Sequence, residues 1–397
     1  MKTTQNIFLA LVLTIFSCIL HATPQTQKEW TMLVFINGHN NLSPFATMNL
    51  KDMEKTGSSD QVNIVVEWGS EESNLTKRML VKKSTDPKKV TSPVLLSFED
   101  HDMGDYNNLV DFVKWGSENF PARHYFVAVW NHGSGWHFQN RNAGSISTND
   151  ISFDDHTGNK ITTEQLGVAM GQIKQIIGRN IDIYGSDACL MAMVEVAAEM
   201  KDSVDYFVGS EDTEPEQGWP YAPFLQKWLT KPTMTPAEVS ILLSKEYKKA
   251  YSGGVYGAKE VTFSAMDLSK LDALLASTKA LAASFKNYSK DALKEMGQLM
   301  NSVSAFYYSD YKDFGNFLTV MSTAKGVTDK KLFNNVAADI KNVVISVEST
   351  QTFQFATGIS IWFPDYESKD EMTRYTGLEF DKQTSWSGVI DSILANK

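Results

Sequence analysis

Cysteine is scarce in this sequence, with two among 397 residues. Cys18 lies in an apolar run near the N-terminus, and Cys189 is the one thiol beyond that run. A single thiol cannot form a disulfide within its own chain, which excludes a fold held together by disulfides. Cys189 is therefore either an inert residue of the core or a reactive nucleophile, and the count alone does not decide between them.

Positive charge is also in short supply. The chain has 37 Lys and Arg residues against 47 Asp and Glu residues, which gives a formal net charge of −10. Nucleic-acid binding depends on clustered Lys and Arg that displace counterions from phosphates, so the composition argues against a DNA or RNA partner. Hydrophobic residues make up 42% of the chain, enough to bury a sizeable core. The acidic balance suits a protein that meets cationic partners.

Long apolar runs are absent apart from one, at residues 7–20. Lys2 precedes this run and Ala22 offers a small residue for cleavage, so we predict a signal peptide at residues 1–22 and export to the periplasm or beyond. A membrane anchor is disfavoured because the run is short and lacks a stop-transfer flank. Lipidation at Cys18 is also less favoured, because Phe16 is bulky and apolar residues continue past the cysteine. No other segment approaches a transmembrane span.

Strand-like and helix-like stretches alternate along the rest of the chain. Continuous apolar strands separated by amphipathic helices predict an α/β fold, with a mostly parallel sheet flanked by helices. We expect a core at residues 29–269 and a helix-rich C-terminal region at 270–397, with a returning strand at 358–363. The predicted core strands are 30–36, 62–68, 78–81, 94–98, 125–130, 181–184, 206–209 and 261–266. The predicted core helices are 45–55, 107–118, 163–177 and 190–200.

Two loops stand out at the carboxyl ends of predicted strands, where open α/β sheets bind ligands. Residues 131–136, Asn-His-Gly-Ser-Gly-Trp, follow the strand that ends at Trp130. Residues 185–189, Gly-Ser-Asp-Ala-Cys, follow the strand that ends at Tyr184. In a parallel sheet both loops emerge on one edge, so His132 and Cys189 can meet although they are 57 positions apart.

This pairing fits nucleophilic catalysis by a thiolate. A neighbouring imidazole generates the thiolate or protonates the leaving amine. The backbone N–H groups of Gly133 and Cys189 are candidate donors to an oxyanion, and the positive end of a helix beginning near Leu190 would favour the thiolate. The alternative to a catalytic pair is that His132 is only a loop residue and Cys189 is only a core residue. A metal site is disfavoured, because neither loop supplies a CxxC or HxxxH spacing.

At these residues the sequence resembles the clostripain family of cysteine peptidases, relatives of the caspases and gingipains. The matching stretches are NHGSGW around His132, SDACLMAMVEVA around Cys189 and VDYFVGSEDTEPEQGWPY at residues 204–221. WTMLVFINGHNNL near the start and GISIWFP near the end also look familiar. The resemblance implies a caspase-like fold, a His132–Cys189 dyad, and cleavage after Arg or Lys in protein or peptide substrates.

The resemblance also implies how a basic side chain is recognised. In this family an acidic residue two positions before the cysteine lines the pocket, and that position is Asp187 here. A second pocket acid is expected from the loop after the next strand, and Trp219 is a candidate for the pocket wall. The acids available in that loop are Glu211, Asp212, Glu214 and Glu216.

Maturation and metal dependence are two further properties that the resemblance suggests. Family members often cut themselves between the histidine and the cysteine; the preferred site here is Arg141, in a loop, with Lys160 second. Some members depend on calcium, and Asp150, Asp154 and Asp155 form an acidic loop without the spacing of an EF-hand. We expect no required cofactor and a monomer. His39 stands where the family more often has Asp, which would affect a structural contact.

Three alternatives stay open at this stage. A transpeptidase or ligase of the same fold would use an amine in place of water, and product analysis would separate the two reactions. A binding protein that kept the fold would be expected to lose a dyad residue or a pocket acid, and neither is lost. A zymogen activated by another protease is the third.

Overall fold

The structure is a computed structural model that describes residues 27–86, 88–136, 150–366 and 369–397. The strands are β1 (Lys28–Gly38), β2 (Val62–Ser70), β3 (Ser73–Leu80), β4 (Val94–Glu99), β5 (Ala122–Trp130), β6 (Ile181–Asp187), β7 (Val204–Gly209), β8 (Ser252–Gly254), β9 (Gly257–Ala258), β10 (Thr262–Asp267), β11 (Tyr311–Asp313), β12 (Val344–Ser349) and β13 (Ser360–Trp362). The helices are α1 (Ser43–Glu54), α2 (Tyr106–Asn119), α3 (Thr163–Ile177), α4 (Val194–Met200), α5 (Tyr221–Trp228), α6 (Pro236–Tyr251), α7 (Leu271–Ser284), α8 (Lys290–Leu299), α9 (Phe314–Met321), α10 (Lys330–Val343), α11 (Lys369–Tyr375), α12 (Glu379–Thr384) and α13 (Ser387–Leu394).

Nine of the strands form one central sheet in the order β12-β10-β7-β6-β5-β1-β2-β3-β4. The five strands from β7 to β2 in that order are parallel. At one end of the sheet β10 and β12 are each antiparallel to the preceding strand, and at the other end β3 and β4 are as well. The prediction of a mostly parallel sheet flanked by helices is therefore confirmed.

Alternating side chains of the central strands feed two hydrophobic cores, one on each face of the sheet. Leu33 and Phe35 of β1 pack into the core that contains α2, α3 and α4. Met32 and Val34 of the same strand pack into the core that contains α1, α5 and α6. This period of two is what a strand buried on both faces requires, and it explains why the central strand sequences are mostly apolar.

Local sequence signals fix the ends of the helices that cover the sheet. Thr162 and Gln165 form a reciprocal capping box at the start of α3, and Gly178 ends that helix in the left-handed conformation with φ of 79°. Thr235 and Glu238 form the same capping box at the start of α6. None of the helices within the described residues has the length and apolar character needed to span a bilayer.

The C-terminal region is interleaved with the core. Strand β12 belongs to residues 270–397 yet pairs with β10 in the central sheet, so the boundary at 270 divides the chain but not the sheet. The returning strand near residue 360 is β13, which pairs with β11 in a separate two-stranded sheet. Ser360 also bridges Met193 beside the core, and the Tyr311 hydroxyl donates to the carbonyl oxygen of Ser134.

Candidate active site

Strand register brings the two predicted catalytic loops to the same height on the sheet edge. In the parallel pair β5–β6, Trp130 lies opposite Asp187, so His132 and Cys189 each come two residues after a matched position. The Asn131 N–H donates to the Asp187 carbonyl oxygen at 3.2 Å. A Cβ atom on Gly133 would lie 2.5 Å from the Cys189 carbonyl oxygen, so only glycine permits this approach of the two loops.

Cys189 is partly exposed and lies in a turn between β6 and α4. The Glu214 N–H donates to Cys189 Sγ at 3.2 Å. Burial raises the pKa of the Cys189 thiol to about 11, against the lowering effect of that hydrogen bond. The thiol is therefore protonated in the free site at neutral pH.

The prediction that a helix beginning near Leu190 favours the thiolate is wrong. Leu190 has a left-handed φ of 62°, which interrupts the helical path, and α4 begins at Val194. The intervening backbone instead pairs with the loop after β7, where Leu190 N–H donates to the Asp212 carbonyl oxygen at 3.0 Å. The donor to the sulfur is thus a single loop amide, that of Glu214, in place of a helix terminus.

His132 is half-buried, and its Nε2 lies 2.8 Å from Asn41 Oδ1. Burial lowers the pKa of the His132 imidazole, while the negative charges of Asp155 and Glu216 act in the opposite direction. The sequence reasoning did not identify Asn41. Its only signal was a position shortly after the end of β1, within the GHNNL stretch that already resembled the family.

Buried asparagines cross-link the loops that carry His132 and Asn41. Asn131 Nδ2 donates to the Asn37 carbonyl oxygen at 2.7 Å, and Asn131 Oδ1 accepts from the Phe153 N–H at 3.0 Å. Asn40 Nδ2 donates to the Phe153 carbonyl oxygen at 2.9 Å, while Asn40 Oδ1 accepts from the Leu42 N–H at 3.0 Å. The ends of β1 and β5 are therefore joined through one short segment around Phe153.

The two predicted oxyanion donors lie on either side of the contact between the loops. The N–H groups of Gly133 and Cys189 donate to no backbone carbonyl among the described residues, and the Cys189 N–H lies close to its own sulfur. Stabilisation of an oxyanion needs backbone donors of this kind.

A cleft of about 290 Å³ opens beside these groups, lined by His132 and Cys189 together with Asp187, Glu214, Glu216 and Tyr307, among others. Asp187 lies at its base and is buried. Its carboxylate accepts hydrogen bonds from the Trp219 N–H at 3.1 Å and from the Tyr221 hydroxyl at 2.7 Å. Burial nevertheless raises the pKa of Asp187 to about 7.

Glu214 is the second acid at the base of the cleft. Both of its carboxylate oxygens are buried, beside the Asp187 carboxyl group and the Trp219 side chain. Burial and the nearby Asp187 charge raise the pKa of Glu214 well above its ordinary value. Two carboxylates this close cannot both ionise cheaply, so at least one proton stays in the empty pocket at neutral pH.

The absence of a side chain at Gly218 leaves room for the Asp187 carboxylate. Its φ is 59°, and a Cβ atom there would lie 2.7 Å from Asp187 Oδ1. The Tyr251 hydroxyl fixes the same turn by donating to the Gly218 carbonyl oxygen at 2.8 Å. Both the backbone conformation and the close contact therefore require glycine.

The other acids considered for the pocket do not lie at its base. Glu211 is buried away from the cleft, where it accepts from the Thr262 hydroxyl at 3.0 Å. Asp212 accepts from the Tyr307 N–H at 3.1 Å and so supports one wall, while Glu216 is exposed at the rim. The Trp219 ring packs into the core against Phe126 and Phe263, its side chain lies beside Glu214, and its backbone N–H donates to Asp187.

The acids of the loop considered for calcium contact separate protein groups. Asp150 is paired with Arg374, and its Oδ1 also accepts from the Thr163 N–H at 2.9 Å. Asp155 is exposed. The ligand oxygens are thus spread over separate contacts, whereas calcium needs six or more oxygens around one point.

His39, Asp154 and His156 are the described residues that come closest to a transition-metal cluster. Their geometry is explained without an ion, because Asp154 Oδ2 accepts from His39 Nδ1 at 2.8 Å and from the Met103 N–H at 2.9 Å. Asp154 Oδ1 accepts from the N–H groups of His156 and Thr157. His39, the departure from the family pattern, therefore makes a structural contact.

Arg141, Cys18 and the predicted signal peptide lie outside the described residues. Lys160, the second candidate for self-cleavage, is half-buried and precedes Ile161, which pairs with Ile151 in an antiparallel bridge. Cutting at Lys160 would require that bridge to open.

A sequence model of the clostripain family matches residues 34–392. No curated protein sequence matches the chain.

Three solved structures share the fold. A secreted C11 cysteine protease from Bacteroides thetaiotaomicron, in complex with an irreversible peptide inhibitor, is 22% identical with a TM-score of 0.70. An inactive zymogen C11 protease from Parabacteroides distasonis is 18% identical with a TM-score of 0.69. A secreted C11 cysteine protease from B. thetaiotaomicron, called iotapain, is 17% identical with a TM-score of 0.70. Each match covers 90% of this chain and 99% of the other.

Proposed function

The chain belongs to the clostripain family and is a cysteine peptidase, and from that premise we propose that it is an exported endopeptidase that cuts after arginine or lysine. Cys189 is the proposed nucleophile and His132 its base. Asp187 and Glu214 form the proposed pocket for the basic side chain.

One observation carries the specificity: the buried carboxyl groups of Asp187 and Glu214 meet at the base of the cleft, and the described residues that line the cleft include no Lys or Arg. A buried carboxylate without a cation beside it is unfavourable unless a ligand supplies one. A guanidinium or ammonium group supplies both donors and positive charge, and a substrate lacking them would leave both acids unpaired. An aspartate or leucine at the same place would therefore be rejected.

The proposed reaction begins with a neutral thiol and a neutral imidazole, because burial raises the pKa of Cys189 and lowers that of His132. His132 takes the thiol proton as Cys189 Sγ bonds to the carbonyl carbon after the basic residue. The resulting oxyanion is placed against the N–H groups of Gly133 and Cys189.

The second half of the reaction returns the proton. The bond from carbon to nitrogen breaks, the leaving amine takes the proton from the His132 imidazolium, and the acyl group stays on the sulfur. Water, deprotonated by His132, then attacks the thioester carbon. The bond from carbon to sulfur breaks, the His132 imidazolium returns its proton to the Cys189 sulfur, and the acid product is released.

Export and maturation complete the proposal. The N-terminal apolar run supports export, as do the two similar structures described as secreted proteases. The similar zymogen structure supports maturation by self-cleavage between His132 and Cys189, for which Arg141 is the proposed site. Active enzyme that runs as one uncut chain on a denaturing gel would contradict self-cleavage.

The test uses the purified mature chain and its Cys189→Ala and His132→Ala variants on fluorogenic peptides ending in Arg, Lys, Asp or Leu. The expected result is cleavage after Arg or Lys alone, absent in both variants. Cleavage after Asp would keep the nucleophile and refute the pocket. Failure to cleave any peptide, even after trypsin nicking near Arg141, would favour a binding protein that kept the fold.

A further inference from the structure

The contact between His132 and Asn41 points to a third member of the catalytic group. We propose that Asn41 is a positioning residue that holds the His132 ring and keeps its Nε2 atom protonated. The inference rests on the proposed role of His132 as base, and it concerns a side chain that does not touch the reacting atoms.

The geometry of the pair determines the tautomer. Asn41 Oδ1 lies 2.8 Å from His132 Nε2, and an amide oxygen can only accept a hydrogen bond. Nε2 therefore carries the hydrogen in the neutral ring, and Nδ1 keeps the free lone pair. In this tautomer Nδ1 is the nitrogen that can take the proton of the thiol.

The two partners are held by backbone that cannot easily separate. Asn41 lies directly between Asn40, whose side chain bonds to Leu42 and Phe153, and the start of α1. His132 follows Asn131, whose side chain bonds to the Asn37 carbonyl oxygen and to Phe153. Since both loops are tied to Phe153, the Asn41–His132 hydrogen bond joins two fixed points, as positioning of a catalytic group requires.

An uncharged acceptor also suits the electrostatics. Asp155 and Glu216 already favour the imidazolium, and burial opposes them. A carboxylate at position 41 would hold the ring equally well but would add a charge that retains the proton. Asparagine orients the ring and leaves it neutral, which a base needs near neutral pH.

The test compares Asn41→Ala and Asn41→Asp with the wild-type chain, using the pH profile of kcat/KM on an arginine peptide. Asn41→Ala should lower kcat by about 10- to 100-fold with KM within about twofold of wild type, because the ring loses its orientation but the pocket is intact. Asn41→Asp should recover much of kcat, and its acid limb should move up by about one pH unit. Asn335→Ala, an exposed asparagine on α10, is the matched control and should behave as wild type.

Two further measurements keep the outcomes separate. Thermal unfolding of each variant, in a Cys189→Ala background, should match the parent and so exclude a folding defect. If His132→Ala is active, the proposed function fails. If His132→Ala is inactive while Asn41→Ala keeps wild-type kcat, or if Asn41→Asp has the wild-type pH profile, the positioning role of Asn41 is refuted and the proposed function stands.

Discussion

Replacing Glu214 with Gln should weaken catalysis and strengthen folding at the same time. The substitution keeps the shape of the side chain but removes the ionisable carboxyl group beside Asp187. It thus separates the two demands on this residue, which are recognition of a cation and stability of the empty pocket.

The loss of activity follows from the value of a charge-assisted hydrogen bond. Such a bond contributes about 1.5–3 kcal/mol, and about 1.4 kcal/mol corresponds to a factor of ten. We therefore expect kcat/KM for an arginine peptide to fall by about 10- to 150-fold. The Cys189 thiol should keep its reactivity toward a small alkylating agent, since the donor to its sulfur is the backbone N–H at position 214.

The gain in stability follows from the burial of the Glu214 carboxyl group beside Asp187, which raises its pKa. Relief of such an unfavourable buried group is worth about 1–3 kcal/mol. With an unfolding entropy of about 2.1 cal/mol/K per residue, that is a rise in Tm of about 1–4 °C. The pKa of Glu214 is raised on folding, so its ionisation destabilises the native state above the unfolded-state pKa of about 4.3. The gain should therefore be largest at alkaline pH and disappear toward about pH 4.

Thermal unfolding should be followed in a Cys189→Ala background, so that no variant cuts itself during the scan. Glu216→Gln is the matched control, because it lies in the same loop but is exposed at the rim of the cleft. It should change Tm very little. The reasoning about Glu214 would be refuted if Glu214→Gln kept full kcat/KM, or if it lowered Tm at pH 8.

Three further predictions follow from the site. Burial raises the pKa of Asp187 to about 7, so kcat/KM for an arginine peptide should decline as the pH falls through about 7, where the carboxyl takes a proton and no longer pairs with a cation; a decline only near pH 4 would contradict this. Arg374→Ala leaves the buried Asp150 unpaired and should lower the free energy of unfolding by about 3 kcal/mol in urea titrations. This value is near the lower end of the range for a broken buried pair, because the Arg374 side chain is a quarter exposed. A change under about 1 kcal/mol would argue against that ion pair. EGTA should leave peptide cleavage unchanged, because the acids considered for calcium are engaged elsewhere; a tenfold loss that calcium restores would point to a site outside these residues.

Much of the fold was predictable because the strands carry their own signal. A strand buried on both faces is mostly apolar, which identifies the central strands, and each of the predicted core strands overlaps an observed one. The antiparallel edges were not predictable, since pairing direction depends on partners distant in sequence. The start of α4 was misplaced because the helical spacing from Leu190 onward gives no sign that Leu190 itself adopts a left-handed φ.

The site was predictable where chemistry and topology coincide. His132 and Cys189 follow adjacent parallel strands, and their residue types match a known reaction, so their meeting could be inferred. The sequence could not single out Glu214 among the four acids of its loop. The choice depends on which side chain points toward Asp187, and only the structure shows that. Asn41 was missed for a similar reason, since an asparagine after a strand is common and only the hydrogen bond to His132 distinguishes it.

The interleaving of the C-terminal region with the core affects the order in which a working enzyme can be made. Tyr311 contacts Ser134, two residues after His132. Ser360 contacts Met193, four residues after Cys189. A ribosome delivers both reactive residues more than a hundred positions before those supports. A nascent chain therefore carries a nucleophile and a base without the scaffold that surrounds them in the finished protein. The supported arrangement of the two loops can therefore form only after the C-terminal region has been synthesised.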